Sequence, residues 1–196
     1  QIELRIAAKL ANETTMIEAY KHNEDLHALT ARLILGKQNV TKDDRTIAKS
    51  ANFCLVYGGG AEKFRRYAKT TYGIELSLEE ATRIRNAFFN AYPRLREWHR
   101  RQGGGEGPLN TRTLAGRWRV GVGKFSEKLN SPSQGTGSDM IKLSMALLWE
   151  SRYICPTASL IMSIHDELVL CVEESYSEIA AHWLHKCMID SSQWML

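Results

Sequence analysis

The chain has 196 residues, 43% of them hydrophobic and 24% charged, and its 26 lysines and arginines against 22 acids leave a formal net charge of +4. That is enough apolar material for one large domain or one and a half, and no apolar run is long enough to span a bilayer. Cys54, Cys155, Cys171 and Cys187 lack CxxC or Cys/His ligand spacing, which predicts free thiols in a reducing compartment, while the mild positive charge permits nucleic acid without arguing for it.

The opening QIELRIAAKLAN has neither the basic region nor the cleavage site of a signal peptide. Ile2, Ile6 and Leu10 give residues 1–10 helical periodicity, with Glu3 and Arg5 as its notable polar residues. Helices are predicted over residues 13–20 and 26–35, the second closed by Gly36 and carrying His27 in its first turn. A lone histidine there is usually structural or exposed.

The next stretch, residues 41–60, carries the most chemistry. Arg45, Lys49, Phe53 and Tyr57 stand four apart, so on a helix they project from one broad face with a rise of ~6 Å between neighbours. Ile47, Ala51, Cys54 and Leu55 form the packing side. Thr41 reads as the N-cap, with Asp44 at the third helical position, and Gly58-Gly59-Gly60 as the stop. Arg45 and Lys49 suit a triphosphate, Phe53 a sugar and Tyr57 a base. The plain alternative is a basic face turned to water. Two aromatic rings continuing the row argue against it.

A basic helix over residues 61–72 follows, then helices over 78–92, started at Ser77, and 94–102. The glycine-rich stretch 103–108 reads as a hinge or tip loop. Residues 111–119 read as strand-turn-strand around Ala115-Gly116, followed by an irregular run to Asn130-Ser131-Pro132. Gln134-Gly135-Thr136-Gly137 leads into a long helix, 138–153, with Ile141, Met145, Leu148 and Trp149 on its apolar side. Apolar strands at 158–164 and 168–172 flank His165-Asp166-Glu167, and a last helix covers 175–189. A two-residue hairpin ordinarily asks for Gly or Asn. His-Asp-Glu in that place costs turn stability, and a carboxylate at a strand end is a hard-oxygen ligand suited to Mg2+.

Taken together, these motifs resemble the C-terminal part of the polymerase domain of the DNA polymerase I family (family A). Arg45-xxx-Lys49-xxx-Phe53-xxx-Tyr57-Gly58 is similar to its fingers-helix motif, Gln1-Ile2-Glu3-Leu4-Arg5 to the end of its first palm motif, and His165-Asp166-Glu167 to its second. Thr113-Leu114-x-Gly116-Arg117 and Asn130-x-Pro132-x-Gln134-Gly135-Thr136 match as well, so five motifs in the family's order cover nearly the whole chain. The resemblance implies an α+β fold, a partial right hand in which a helical fingers subdomain (residues 21–110) is inserted into a palm with an antiparallel sheet (residues 1–20 and 111–196).

The same resemblance implies roles. Asp166 would hold a pair of Mg2+ ions, with Glu167 a less essential carboxylate beside it. Arg45, Lys49 and His27 would bind the deoxynucleoside triphosphate, and Lys49 would also protonate the leaving pyrophosphate. Phe53 and Tyr57 would frame the sugar and the nascent base pair, and Glu3, with Gln1 beside it, would exclude a ribose 2′-OH. Asn130, Gln134 and His165 would touch the minor groove of primer–template DNA, and Arg117 its backbone. The family's first metal-binding Asp lies a few residues before QIELR, which here falls upstream of Gln1. Its common Arg four residues before Asn130 is Ser126 here, with Lys124 or Lys128 as substitutes. An upstream polymerase portion (thumb and the rest of the palm) is thus an expected partner, the chain alone is expected to be inactive, and its setting is a bacterial or phage-infected bacterial cytoplasm. Two alternatives stand at this point: a phage-type single-subunit RNA polymerase, and a DNA-binding half of a split polymerase. Glu3, Phe53 and the Glu after His-Asp favour DNA synthesis over the first.

Overall fold

Local signals in the sequence account for most of the helix boundaries. A computed structural model describes residues 2–103 and 110–196, so Gln1 and all but the first residue of the predicted hinge 103–108 lie outside it. In chain order come α1 (Ile2–Ala11), α2 (Thr14–Lys21), α3 (Leu26–Leu35), α4 (Lys42–Leu55), α5 (Ala61–Tyr72), α6 (Leu78–Ala91) and α7 (Pro93–Gly103). After them run β1 (Thr111–Arg112), β2 (Trp118–Arg119), α8 (Phe125–Glu150), β3 (Ser159–Ile164), β4 (Glu167–Cys171) and α9 (Ser177–Gln193).

Asp25 caps α3 by accepting from the His27 and Ala28 backbone N–H groups, and Gly36 closes it in the left-handed region at φ 65°. Full capping boxes start α4 (Thr41 with Asp44) and α6 (Ser77 with Glu80), each satisfying two otherwise orphaned N–H groups. The Asp44 carboxylate is held down to about 2 by its hydrogen bonds from Lys37 and Thr41. Helix α4 ends at Leu55, short of the predicted stop. Gly58, at φ 80°, returns its N–H to the Leu55 carbonyl, and the Gly59 N–H returns to that of Cys54.

The long helix departs most from expectation. It begins at Phe125 rather than Ser138 and runs straight through Asn130, Pro132 and Gly135, all of which read locally as loop. Burial explains the reversal. Lys128, Leu129, Pro132, Ser133 and Thr136 fall at helical spacing on one buried face, against α1, α7 and β1. Thr136 closes the local polar account, giving its hydroxyl proton to the Pro132 carbonyl at 2.7 Å and accepting the Leu114 N–H at 3.0 Å. Trp149, expected on the apolar side, is 68% exposed. It sits about 100° round from the buried Leu148, and the Arg152 guanidinium lies 4.3 Å from its ring centroid.

The architecture is α+β: a helical body with two two-stranded antiparallel sheets, β1–β2 and β3–β4, among the described residues. One core is filled from α1 to α7 by side chains such as Leu4, Met16, Leu55, Phe64, Phe88 and Trp98, and Leu129 of α8 joins it. The other gathers Leu148 from the far end of α8, Leu168 from β4, and Ala180, Trp183 and Cys187 from α9. Helix α8 is therefore the element common to both. In the β3–β4 hairpin a bulge at Ile161 shifts the register, and β3 is exposed along its length. No described helix is long and apolar enough to cross a membrane, and all four cysteines are free thiols.

Candidate functional site

Helix α4 carries the predicted row with a graded burial. Arg45 is exposed, Lys49 and Phe53 are half-buried, while Ala48, Ala51, Cys54 and Leu55 are sealed in the core behind them. The packing side of the helix is thus the predicted one, with Ile47 half-buried at its edge. Each cation has a resting partner. The Arg45 Nε donates to the Asp25 carboxylate at 2.7 Å, and the Lys49 ammonium stands 5.7 Å from the centroid of the Tyr72 ring. Burial pushes the Asp25 carboxyl up, but the Arg45 hydrogen bond and the two α3 N–H groups outweigh it, so its net shift is downward.

Helix α3 brings His27 against this row. Its ring lies 5.9 Å from that of Phe53, tilted by 47°, and its Nδ1 is 2.9 Å from the Asn52 amide nitrogen. Burial, then the positive charge of Arg45, lowers the imidazole to about 4, so the ring is neutral at ordinary pH. Arg45, Lys49, Phe53 and His27 thus form one group.

Tyr57 lies in the turn after α4, but its direction is useful. Its hydroxyl is 3.1 Å from the Ser133 Oγ, which donates a long bond of 3.4 Å to the Glu3 backbone carbonyl. Gln134, the next residue, donates its amide N–H to the Glu3 carboxylate at 2.8 Å. Burial pushes the Tyr57 phenol up to about 12. Glu3, Tyr57, Ser133 and Gln134 therefore join α1, the turn after α4 and α8 in one short relay.

The hairpin residues make a second wall. Glu3, Gln134, His165 and Asp166 all line a groove of about 830 Å³ between α1, α8, α9 and the β3–β4 tip. Glu167, the next residue, is not among its walls. His165 occupies the left-handed region at φ 53°, the turn cost expected of a side chain other than Gly or Asn. No cluster of three metal-ligating side chains occurs among the described residues, so Asp166 contributes a single exposed carboxylate.

Asn130 and Gln134, four apart on α8, share with Arg117, Arg119 and Thr113 a polar cleft of about 340 Å³. Arg117 is anchored there, donating to Asp139 at 2.9 Å and to the Gly135 carbonyl at 3.0 Å. Of the two proposed substitutes for the missing Arg, Lys128 is buried at 7% exposure, because it falls on the packed face of α8. Lys124 alone is exposed. Sequence reasoning missed Asp25, Asn52, Ser133 and Tyr72. Their partners Arg45, His27, Tyr57 and Lys49 lie 20 to 76 positions away in sequence, and only the Asp at an N-cap position gave a local signal.

Comparison with known proteins identifies the family and the fold. The chain is 38% identical over 196 residues to DNA polymerase I of Aquifex aeolicus, covering 96% of this chain and 34% of that protein. It is 32% identical to the DNA polymerase of Mycobacterium phage D29 and 29% identical to the thermostable DNA polymerase I of Thermus aquaticus, covering 96% of this chain in each case and 30% and 23% of those proteins. The chain thus spans about a third or less of the length of these relatives. Its fold matches the POL domain of Pol1 from M. smegmatis, solved in complex with DNA primer-template and dNTP, with a TM-score of 0.84 and 25% identity over 97% of this chain and 35% of that one. The architecture is accordingly a partial polymerase fold. The family model for DNA polymerase family A matches residues 1–196 without remainder, and the chain belongs to that family.

Proposed function

We propose that this chain is the fingers and catalytic-palm portion of a template-directed DNA polymerase, which extends a primer 3′-OH with deoxynucleoside triphosphates. The observation that carries the proposal is the row on α4. Two cations and an aromatic ring follow one another at one-turn intervals, with the neutral His27 donor beside them. That order, charge then flat apolar face, suits a triphosphate joined to a sugar. The presence of DNA primer-template and dNTP in the M. smegmatis complex supports the same ligands here. Residues 1–20 and 111–196 are read as palm and 21–110 as fingers.

On this reading Arg45 keeps its Nε on Asp25 and turns its two terminal nitrogens to the phosphates, so the existing ion pair orients the guanidinium. Lys49 leaves the Tyr72 ring for the triphosphate and protonates the pyrophosphate as it departs. Phe53 packs on the sugar and Tyr57 backs the nascent base pair. Glu3, fixed by Gln134, fills the space a 2′-OH would need. Asn130, Gln134 and His165 contact the primer–template minor groove and Arg117 its backbone.

Asp166 suits Mg2+ in kind, being a free hard-oxygen ligand at the rim of the groove that also holds Glu3. One carboxylate is what such an ion takes when phosphate oxygens and other carboxylates complete its shell. When bound, a pair of such ions supplies Lewis-acid activation of the 3′-OH and neutralises charge on the triphosphate. Glu167 stands beside Asp166 as a secondary carboxylate.

The test joins this chain to the preceding portion of the Aquifex aeolicus relative and follows primer extension. The chimera should extend primers with deoxynucleotides. Asp166→Asn should bring extension to background while primer–template affinity is retained, because it removes a metal ligand and not a DNA contact. Extension by the variant at a rate comparable to the parent would sink the assignment.

A further inference from the structure

Asn52 lies in the last turn of α4, fully buried, one residue before Phe53. A buried amide in a helix interior must have both N–H bonds accepted or lose stability. Its nitrogen has two neighbours: the His27 Nδ1 at 2.9 Å and the Thr30 Oγ1 at 3.1 Å. The proton on Thr30 is engaged elsewhere, since its hydroxyl donates to the Leu26 carbonyl at 2.7 Å within α3. The Thr30 oxygen is then left as an acceptor, for Asn52 on one side and for the Tyr92 hydroxyl, 2.7 Å away, on the other. With the amide turned over, only Thr30 Oγ1, at 3.3 Å, would be a described acceptor for its two N–H bonds, and one buried donor would go unpaired. The observed orientation uses both. It makes the His27 Nδ1 an acceptor, which puts the single proton of a neutral ring on Nε2.

We infer that Asn52 is a positioning residue that locks His27 in its Nε2–H tautomer and so fixes a neutral hydrogen-bond donor beside the triphosphate row of α4. The inference rests on the proposed function in naming the triphosphate, but the lock itself does not depend on it. Burial and the nearby Arg45 and Lys49 charges outweigh the opposing Asp25 carboxylate and keep the ring from taking a second proton, so the donor is neutral throughout the physiological range. A neutral donor discriminates where a third cation would not. It contributes direction without adding to the charge that any polyanion would feel. Thr30 and Tyr92 extend the lock across α3 to the end of α6, so three helices hold one tautomer.

The experiment uses the 196-residue chain labelled with ¹⁵N-histidine, in which the signals of His27 are identified by their loss in His27→Gln. At neutral pH the wild-type ring should show an unprotonated Nδ1 and a protonated Nε2. Asn52→Asp keeps the size of the side chain but replaces the donor with a carboxylate. The tautomer should invert to Nδ1–H, and affinity for dATP with Mg2+ should fall about tenfold, as for loss of one hydrogen bond to a charged oxygen. Asn52→Leu should give averaged signals from both tautomers. The inference fails if wild-type His27 carries its proton on Nδ1, or if Asn52→Asp leaves the tautomer unchanged. The wild-type spectrum decides it even if a variant does not fold. Should the tautomer follow Asn52 while dATP leaves every His27 signal unmoved, the lock stands and the triphosphate reading of α4 is what fails.

Discussion

On the proposed reading, a single side chain, Phe53, would decide how the site treats the sugar. Its ring stands one helical turn past Lys49, so with phosphates on Lys49 it lies ~6 Å further on, beside the 3′ carbon of the sugar. A deoxynucleotide brings a 3′-OH to that place that can bond its own phosphate oxygens. A dideoxynucleotide does not, and phenylalanine has no hydroxyl to replace it. Phe53→Tyr should therefore relax discrimination against dideoxynucleotides by roughly tenfold to a hundredfold, the worth of one hydrogen bond in a dry site. Single-nucleotide incorporation of matched deoxy and dideoxy substrates by the chimeric polymerase measures it. An unchanged ratio would mean the nucleotide lies differently along α4. At this scale the sequence was informative wherever chemistry repeats at a fixed spacing, as at Arg45, Lys49 and Phe53. It was silent on Asn52, whose partners His27 and Thr30 are 25 and 22 positions away and whose type is common in solvent.

Between elements, the junction of α4 and α5 depends on what glycine lacks. Gly58 sits at φ 80°, and a Cβ there would come within 2.7 Å of the Phe125 ring at the start of α8. The same ring would stand 2.9 Å from a Cβ on Gly103 and packs edge-on to His99 at 5.6 Å, so to yield it would have to give up that contact. Gly73, at φ 69°, has an equally left-handed backbone with open space around it. Gly73→Ala should cost about 1 kcal/mol of backbone strain and Gly58→Ala about 2–3 kcal/mol, strain plus collision. For a chain of this size each kcal/mol lowers Tm by roughly 2–4 °C. Adding Phe125→Leu should recover the excess at Gly58 but not the shared strain. Equal losses at the two glycines, or no recovery in the double variant, would show that the ring is not the obstacle. The start of α8 itself was hidden from sequence reasoning for a related cause. Asn130, Pro132, Gly135 and Gly137 all favour turns locally, and only the tertiary burial of Leu129, Ser133 and Thr136 turns them into helix. The capped starts of α4 and α6, which need no distant partner, were legible at once.

For the molecule as a whole, two neutral histidines set an acid limit. His27 is lowered to about 4 by burial and by Arg45. His99 is also lowered by burial, against the opposing effect of its hydrogen bond to the Val56 carbonyl. In the unfolded chain a histidine titrates near ~6.5. Between that value and the lower folded ones the unfolded state binds protons that the folded state refuses, so stability is complete above about 6.5 and declines as pH falls. The carboxylates act lower down. Asp44, at about 2, contributes stability that is present above ~4 and lost as pH falls through its folded value. Thermal melts should therefore show a first decline between about pH 6.5 and 4 and a separate one below 4. His27→Gln and His99→Gln should each flatten the first and spare the second. A profile level down to pH 4 in the unaltered chain would contradict the neutral assignment of both rings.

Helix α8 also acts as a lever. From Phe125 to Glu150 it is 26 residues long, a rod of ~39 Å. Leu129 near one end belongs to the core against which Phe53 and Tyr57 pack, and Leu148 near the other to the core that holds Leu168 of the hairpin carrying Asp166. Pro132 lies inside this rod, where its ring cannot return an N–H to the preceding turn. From Pro132 to Glu150 is ~27 Å, so a bend of only ~10° at the proline would swing the far end by roughly 5 Å. That is more than the breadth of a hydrogen bond, and on the proposed reading it would uncouple the Asp166 carboxylate from phosphates on α4. On that reading the angle at one imino acid, set by its buried neighbours, would calibrate the distance between the two halves of the site.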